Sequence, residues 1–222
     1  MEWFDLQEEI DKALKDFKSW WDIQNDRYDA FTRYIYTTNT YDELVENTKK
    51  TCEIYKLQFD PVFRYALNRW FNNVVSHYAE DVFTSHDIVE DEEDIYNKEI
   101  DFYIKWIPFD LKMSVFPKWF GQSIDYAFKH KDELIEWMYK HCSKWKRLHN
   151  GNKIFIVCYS PDWNHNNVKW NLRLIKDTID NYINSYDEWE LTLINESLSD
   201  VLFVFDCAND DKEAVQEWNK MN

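Results

Sequence analysis

Residues Ile100 to Lys112 read IDFYIKWIPFDLK, and how this stretch folds decides the architecture of the whole chain. Asp101 lies on one extended segment and an Asp-x-Lys triplet, Asp110 to Lys112, on the next, with eight residues between the two aspartates. Strands rise about 3.3 Å per residue and alternate faces, so Asp110 and Lys112 leave one face roughly 6.6 Å apart along the backbone. Trp106, Ile107 and Pro108 supply the expected reversal between the two strands.

The flanking residues split by parity. Phe109, Leu111, Met113 and Val115 oppose Asp110, Lys112 and Ser114, while Ile100, Phe102, Ile104 and Trp106 oppose Glu99, Asp101, Tyr103 and Lys105. Each strand therefore has one face for a core, and the two carboxylates share the other. Two carboxylates and an ammonium converging on a sheet suit a divalent-metal phosphodiesterase. Mg²⁺ or Mn²⁺ takes hard oxygen ligands and leaves positions for water and phosphate. A bound ion polarises the phosphate and acidifies a coordinated water. Asp101 and Asp110 are the candidate ligands. Lys112 would orient or deprotonate the attacking water, or neutralise charge on the phosphate. A solvated hairpin carrying the same residue types is the plain alternative.

On these residues the chain resembles the PD-(D/E)XK, or restriction-endonuclease-like, nuclease superfamily. The resemblance rests on Asp101, Asp110 and Lys112 in that order, and it covers about residues 61–160, extending toward 206. It implies an αβββαβ core in an α/β fold and a Mg²⁺- or Mn²⁺-dependent nuclease, with DNA ahead of RNA as substrate. It also implies a supporting acid from the preceding helix, matched by Glu80 in HYAEDVF. A Gln-x-x-x-Tyr element on the following helix is matched by Gln122 and Tyr126. No proline precedes Asp101, which departs from the superfamily's pattern.

Hydrophobic periodicity sets out the remaining elements. Residues 2–21, 26–36 and 41–58 read as helices, with Trp3, Leu6, Ile10, Leu14 and Phe17 on one stripe of the first. Asn39 and Thr40 ahead of Asp42 and Glu43 suit a helix start. A helix over 61–84 precedes strands near 86–90, 99–106 and 109–116. A long helix over 121–148 follows, placing Gln122 and Tyr126 one turn apart. A strand at 153–159, a helix near 167–185, short strands near 190–194 and 201–206 and a last helix over 210–220 complete the reading. The expected organisation is a helical annex over 1–60 and a nuclease-like domain over 61–222.

Composition limits the functional classes. The chain has 222 residues, 45% hydrophobic, with 12 tryptophans but only two glycines and four prolines, so no low-complexity linker is present. No apolar run reaches the roughly 18 residues of a membrane span. The acidic start MEWFDLQEEI lacks the features of a signal peptide. Cys52, Cys142, Cys158 and Cys207 are scattered, which reads as reduced thiols in a cytoplasmic protein.

Charge opposes the nuclease reading. Formal net charge is −16, whereas nucleic-acid affinity comes chiefly from basic residues on phosphates. The distribution is uneven. Lys112 to Lys153 holds nine Lys/Arg against four Asp/Glu, and Asp87 to Asp101 holds eight acids. Lys118, Lys140, Lys144, Lys146, Arg147 and Lys153 are the candidate basic rim, with Lys118 and Tyr126 as substrate contacts. His165, in a loop after the 153–159 strand, is a further candidate proton donor. A second reading fits the acidity: an interaction or inhibitor protein on a nuclease-like scaffold, binding a basic partner. The acidic annex would then meet a protein partner or a second copy of the chain.

Overall fold

A computed structural model describes residues 3–16, 25–94, 96–97, 99–142, 151–162 and 164–205, and the chain divides into two compact units, Met1–His77 and Tyr78–Asn222. The first is helical. Helix α1, Trp3–Leu14, buries Leu6, Ile10 and Ala13 at three- and four-residue steps. Helix α2, Asp26–Phe31, starts at Asn25, whose side chain accepts from the Arg27 and Tyr28 N–H groups. Chain 26–36 is not one helix: after Thr32 it tightens into a 3-10 turn, Arg33–Thr37. Arg69 holds that break by donating to the Asp29 carbonyl at 3.0 Å and the Thr32 hydroxyl at 2.6 Å. Helix α3, Tyr41–Tyr55, opens with a reciprocal cap between Thr40 and Glu43. Helix α4, Phe59–Thr84, begins in this unit and continues into the second.

The second unit is mixed α/β, built on an open six-stranded sheet in the order β1-β2-β3-β4-β6-β5. Its strands are β1 (Val89–Asp91), β2 (Phe102–Ile104), β3 (Ile107–Val115), β4 (Lys153–Tyr159), β5 (Thr192–Ile194) and β6 (Ser197–Phe205). β1, β2 and β3 pair antiparallel, β3–β4 and β4–β6 pair parallel, and β5 closes antiparallel on β6. Central β4 reads KIFIVCY, a near-continuous apolar run, because helices cover both its faces. Helices α5 (Ile124–Lys129) and α6 (Lys131–Cys142) bury Ala127, Leu134, Ile135 and Met138 against Phe155, Val157, Val201 and Phe203. Helices α7 (His165–Lys169) and α8 (Leu172–Asn184) follow, and α8 buries Ile175, Ile179 and Ile183. Phe83 of α4 stacks on Phe102 of β2 at 4.6 Å.

Several expectations need correction. The β2–β3 reversal is a two-residue loop, Lys105-Trp106, between paired Ile104 and Ile107. Lys105 takes φ +56° there, and Trp106 is 72% exposed rather than on a core face. Pro108 lies inside β3 opposite Tyr103. Its carbonyl faces Asn152 at 3.0 Å, so its missing N–H falls on the side where β4 has yet to begin and no ladder bond is lost. The helix over 121–148 is interrupted at His130, and Gly121, at φ +77°, lies outside it. The helix near 167–185 is likewise divided, with Asn171 capping α8. The 210–220 helix, Lys144, Lys146 and Arg147 lie outside the described residues. Among the described residues no helix is long and apolar enough to cross a membrane.

Candidate active site

Asp101 lies one residue before β2, just past the last β2–β3 pair, Phe102 and Phe109, and near enough to Asp110 for the charge of one carboxylate to act on the other. Asp101 is tied to β3 through both its backbone and its carboxylate. Asp101 N–H donates to the Phe109 carbonyl at 2.8 Å, and its Oδ2 accepts the Leu111 N–H at 2.6 Å. A side chain thus takes the place of the next ladder carbonyl.

Asp110 is 5% exposed, and both its oxygens are engaged by ammonium groups. Oδ1 pairs with Lys112, two residues along the same face of β3. Oδ2 receives Lys153 Nζ at 2.6 Å. The parallel register places Lys153, the first residue of β4, beside Asp110. The two lysines differ in freedom: the Lys112 side chain is half exposed and that of Lys153 is 5% exposed. Lys153 also lies over the Tyr139 ring at 5.7 Å, and the Tyr139 hydroxyl bonds Gly151 and Ser199. Lys153 is therefore a buried counter-charge, not part of a basic rim. Lys140, another residue of that rim, is exposed and paired with Glu136 at 2.6 Å.

The Asp101 carboxyl is pushed up from 3.8 to about 6. Burial is the main cause; the Leu111 N–H and Lys112 pull it down, while the charges of Glu80 and Asp110 push it further up. Glu80, near the end of α4, is half-buried, and its negative charge acts on Asp101. Among the described residues no three His, Cys, Asp or Glu side chains are grouped to ligate one ion, so the carboxylates stand as a pair. A pair of hard oxygen donors suits Mg²⁺ or Mn²⁺, which completes its shell with water and phosphate. Mutual repulsion among Asp101, Asp110 and Glu80 is relieved by an added cation, so the residues fit such an ion.

The other candidates do not join this group. Gln122 is exposed in the bend before Ser123 caps α5, so it is not a helical turn from Tyr126 on a shared face. Tyr126 donates its hydroxyl to Glu133 at 2.9 Å and stacks on His130 at 4.0 Å. Lys118 is exposed beyond the C-terminal end of β3, whereas Asp110 lies in its first half. Among the described residues no hydrogen bond or ion pair links these three to Asp101, Asp110 or Lys112. His165 is buried past the far end of β4, where its Nδ1 accepts the Ser160 N–H at 2.8 Å and its ring stacks on Tyr159. Burial lowers its pKa, and it serves the β4–α7 connection.

Sequence reasoning missed Lys153 as a site residue. Its signal was a single charge opening an otherwise apolar strand, because a cation buried there requires a counter-charge. Comparisons with protein-family models, curated proteins and solved structures find no match to the chain.

Proposed function

We propose that the chain is a Mg²⁺- or Mn²⁺-dependent nuclease of the PD-(D/E)XK kind, acting on DNA ahead of RNA. One observation carries the reading: the Asp101 carboxylate lies within reach of the charges of Asp110 and Lys112, and Lys112 pairs with Asp110 two residues along β3. The chain order around it, helix, three antiparallel strands, helices, then a parallel strand, supports the restriction-endonuclease-like core that the sequence resembles.

Asp101 and Asp110 would hold the ion through carboxylate oxygens. Such an ion supplies Lewis-acid polarisation of the phosphate and a more acidic water. In hydrolysis the water oxygen bonds to phosphorus and gives up a proton to solvent, the P–O bond to the leaving sugar oxygen breaks, and that oxygen takes a proton from solvent. Lys112 already reaches both Asp110 and the Leu111 carbonyl, the latter at 3.2 Å. Its half-exposed ammonium can turn outward to orient the water and offset charge on the phosphate oxygens. Glu80 adds negative field that favours a cation beside Asp101. Gln122, Tyr126 and Lys118 have no part in this reading.

A second reading draws on the −16 charge and the two ammonium groups on Asp110: an acidic interaction protein that binds a basic partner. The two separate in one assay. Purified protein is incubated with duplex DNA, single-stranded DNA and RNA in Mg²⁺, Mn²⁺ or chelator. The nuclease reading expects cleavage that needs the ion, and intact substrates in every condition would leave the interaction reading in its place.

A further inference from the structure

The second lysine on Asp110 carries a consequence for how many ions the site takes, and it rests on the nuclease reading above. Two-metal phosphodiesterases hold their ions about 3.5–4 Å apart, clamping the attacking and leaving oxygens. A carboxylate that bridges such a pair offers one oxygen to each ion. In this chain the parallel β3–β4 register sets Lys153 beside Asp110, and the charge of Asp110 also acts on Asp101.

Lys153 is not a side chain that can step aside. Its Nζ is 2.6 Å from Asp110 Oδ2, and the two side chains are 5% and 8% exposed. Its backbone N–H donates to Ser199 Oγ at 3.3 Å. Its ammonium rests over the Tyr139 ring at 5.7 Å, and that ring is anchored through its hydroxyl to Gly151 at 2.8 Å and Ser199 at 2.7 Å. Lys112, by contrast, reaches Oδ1 from a half-exposed position and has solvent to retreat into.

We infer that Lys153 is a positioning residue that makes this a one-ion site: its buried ammonium occupies the Asp110 oxygen a second cation would need. Asp110 Oδ1 and Asp101 would hold the single ion, and the half-exposed Lys112 would give up its place on Oδ1. Lys153 also holds the Asp110 carboxylate through Oδ2 and leaves Oδ1 to the half-exposed Lys112.

The test counts ions rather than turnover. Metal-free protein is titrated with Mn²⁺ and free ion is followed by electron paramagnetic resonance, with frozen samples examined for spin coupling. Sites lost in Asp101→Asn are taken as those of the centre, which removes weak binding to the acidic surface. The expected count is one uncoupled Mn²⁺ per chain, rising to two coupled ions in Lys153→Met. Two coupled ions in the wild type, or an unchanged count of one in Lys153→Met, would overturn the inference while leaving the nuclease reading intact. No ion sensitive to Asp101→Asn would remove both. If Lys153→Met does not fold, the wild-type count alone decides.

Discussion

Asp110 and its two lysines separate stability from chemistry at the scale of single residues. Breaking a buried pair by removing one charge costs about 3–5 kcal/mol, because the other charge stays buried without its partner. Asp110→Asn leaves Lys153 in that state and is expected to lose stability in that range by urea denaturation. Lys112→Ala removes the half-exposed partner and leaves Asp110 paired with Lys153, so the expected loss is only about 0–1 kcal/mol and the variant should fold normally. Asp101 supplies a pH dependence of opposite sign to an ordinary ion-paired carboxylate. Its folded pKa, about 6, lies above the unfolded value of 3.8, so the native state holds the extra proton between them. Stability from this group is full below the unfolded value and is lost as pH rises through about 6. Denaturation of the metal-free protein from pH 4 to 8 should show that fall, and Asp101→Asn should flatten it. A wild-type profile as flat as the variant's would contradict the burial of Asp101.

At the scale of elements, hairpin chemistry is measurable in the same way. The β5–β6 loop is a two-residue turn, with Asn195 at φ +48° and Glu196 at φ +69°. A side chain in the left-handed region costs roughly 1–2 kcal/mol, and glycine does not bear that cost. Glu196→Gly should therefore raise the thermal midpoint, and a lowered midpoint would mean the turn is not strained. The same turn explains why β6 begins at Ser197 and not near 201: without glycine, Asn195-Glu196 carries little hairpin signal in the sequence. Legibility followed the strength of the local pattern. β4 was readable to the residue, because seven mostly apolar positions end at Ser160-Pro161. Alternation gave the β2–β3 pairing of Phe102 with Phe109 but not the position of Asp101, whose N–H also bonds the Phe109 carbonyl just before β2. Pro108 misled the placement of the turn, since a proline can sit in a strand where that side of the ladder is unpaired. The breaks at His130 and around Asn171 were hidden by apolar periodicity running across them. Lys153 required the parallel β3–β4 register, which joins residues 43 positions apart and leaves no local trace.

For the whole molecule, the proposed function requires a chain of charge −16 to approach a polyanion. Each phosphate neutralised by Lys or Arg contributes about −0.9 to the slope of log affinity against log salt. With Lys112 as the lysine exposed at the site, binding should give a slope no steeper than about −3, far below that of basic DNA-binding proteins. A steep slope from titration in KCl would point to a basic surface elsewhere on the chain. The central claim is that Asp101, Asp110 and Lys112 act as one catalytic unit. It is tested most directly by single-turnover cleavage with Mn²⁺, comparing wild type, Asp101→Asn, Lys112→Ala and the double variant at matched folded fraction. Residues acting as a unit are strongly non-additive. Each single variant should lose at least about 10²-fold and the double variant little more. Cleavage by Lys112→Ala and Asp101→Asn at the wild-type rate would contradict the account.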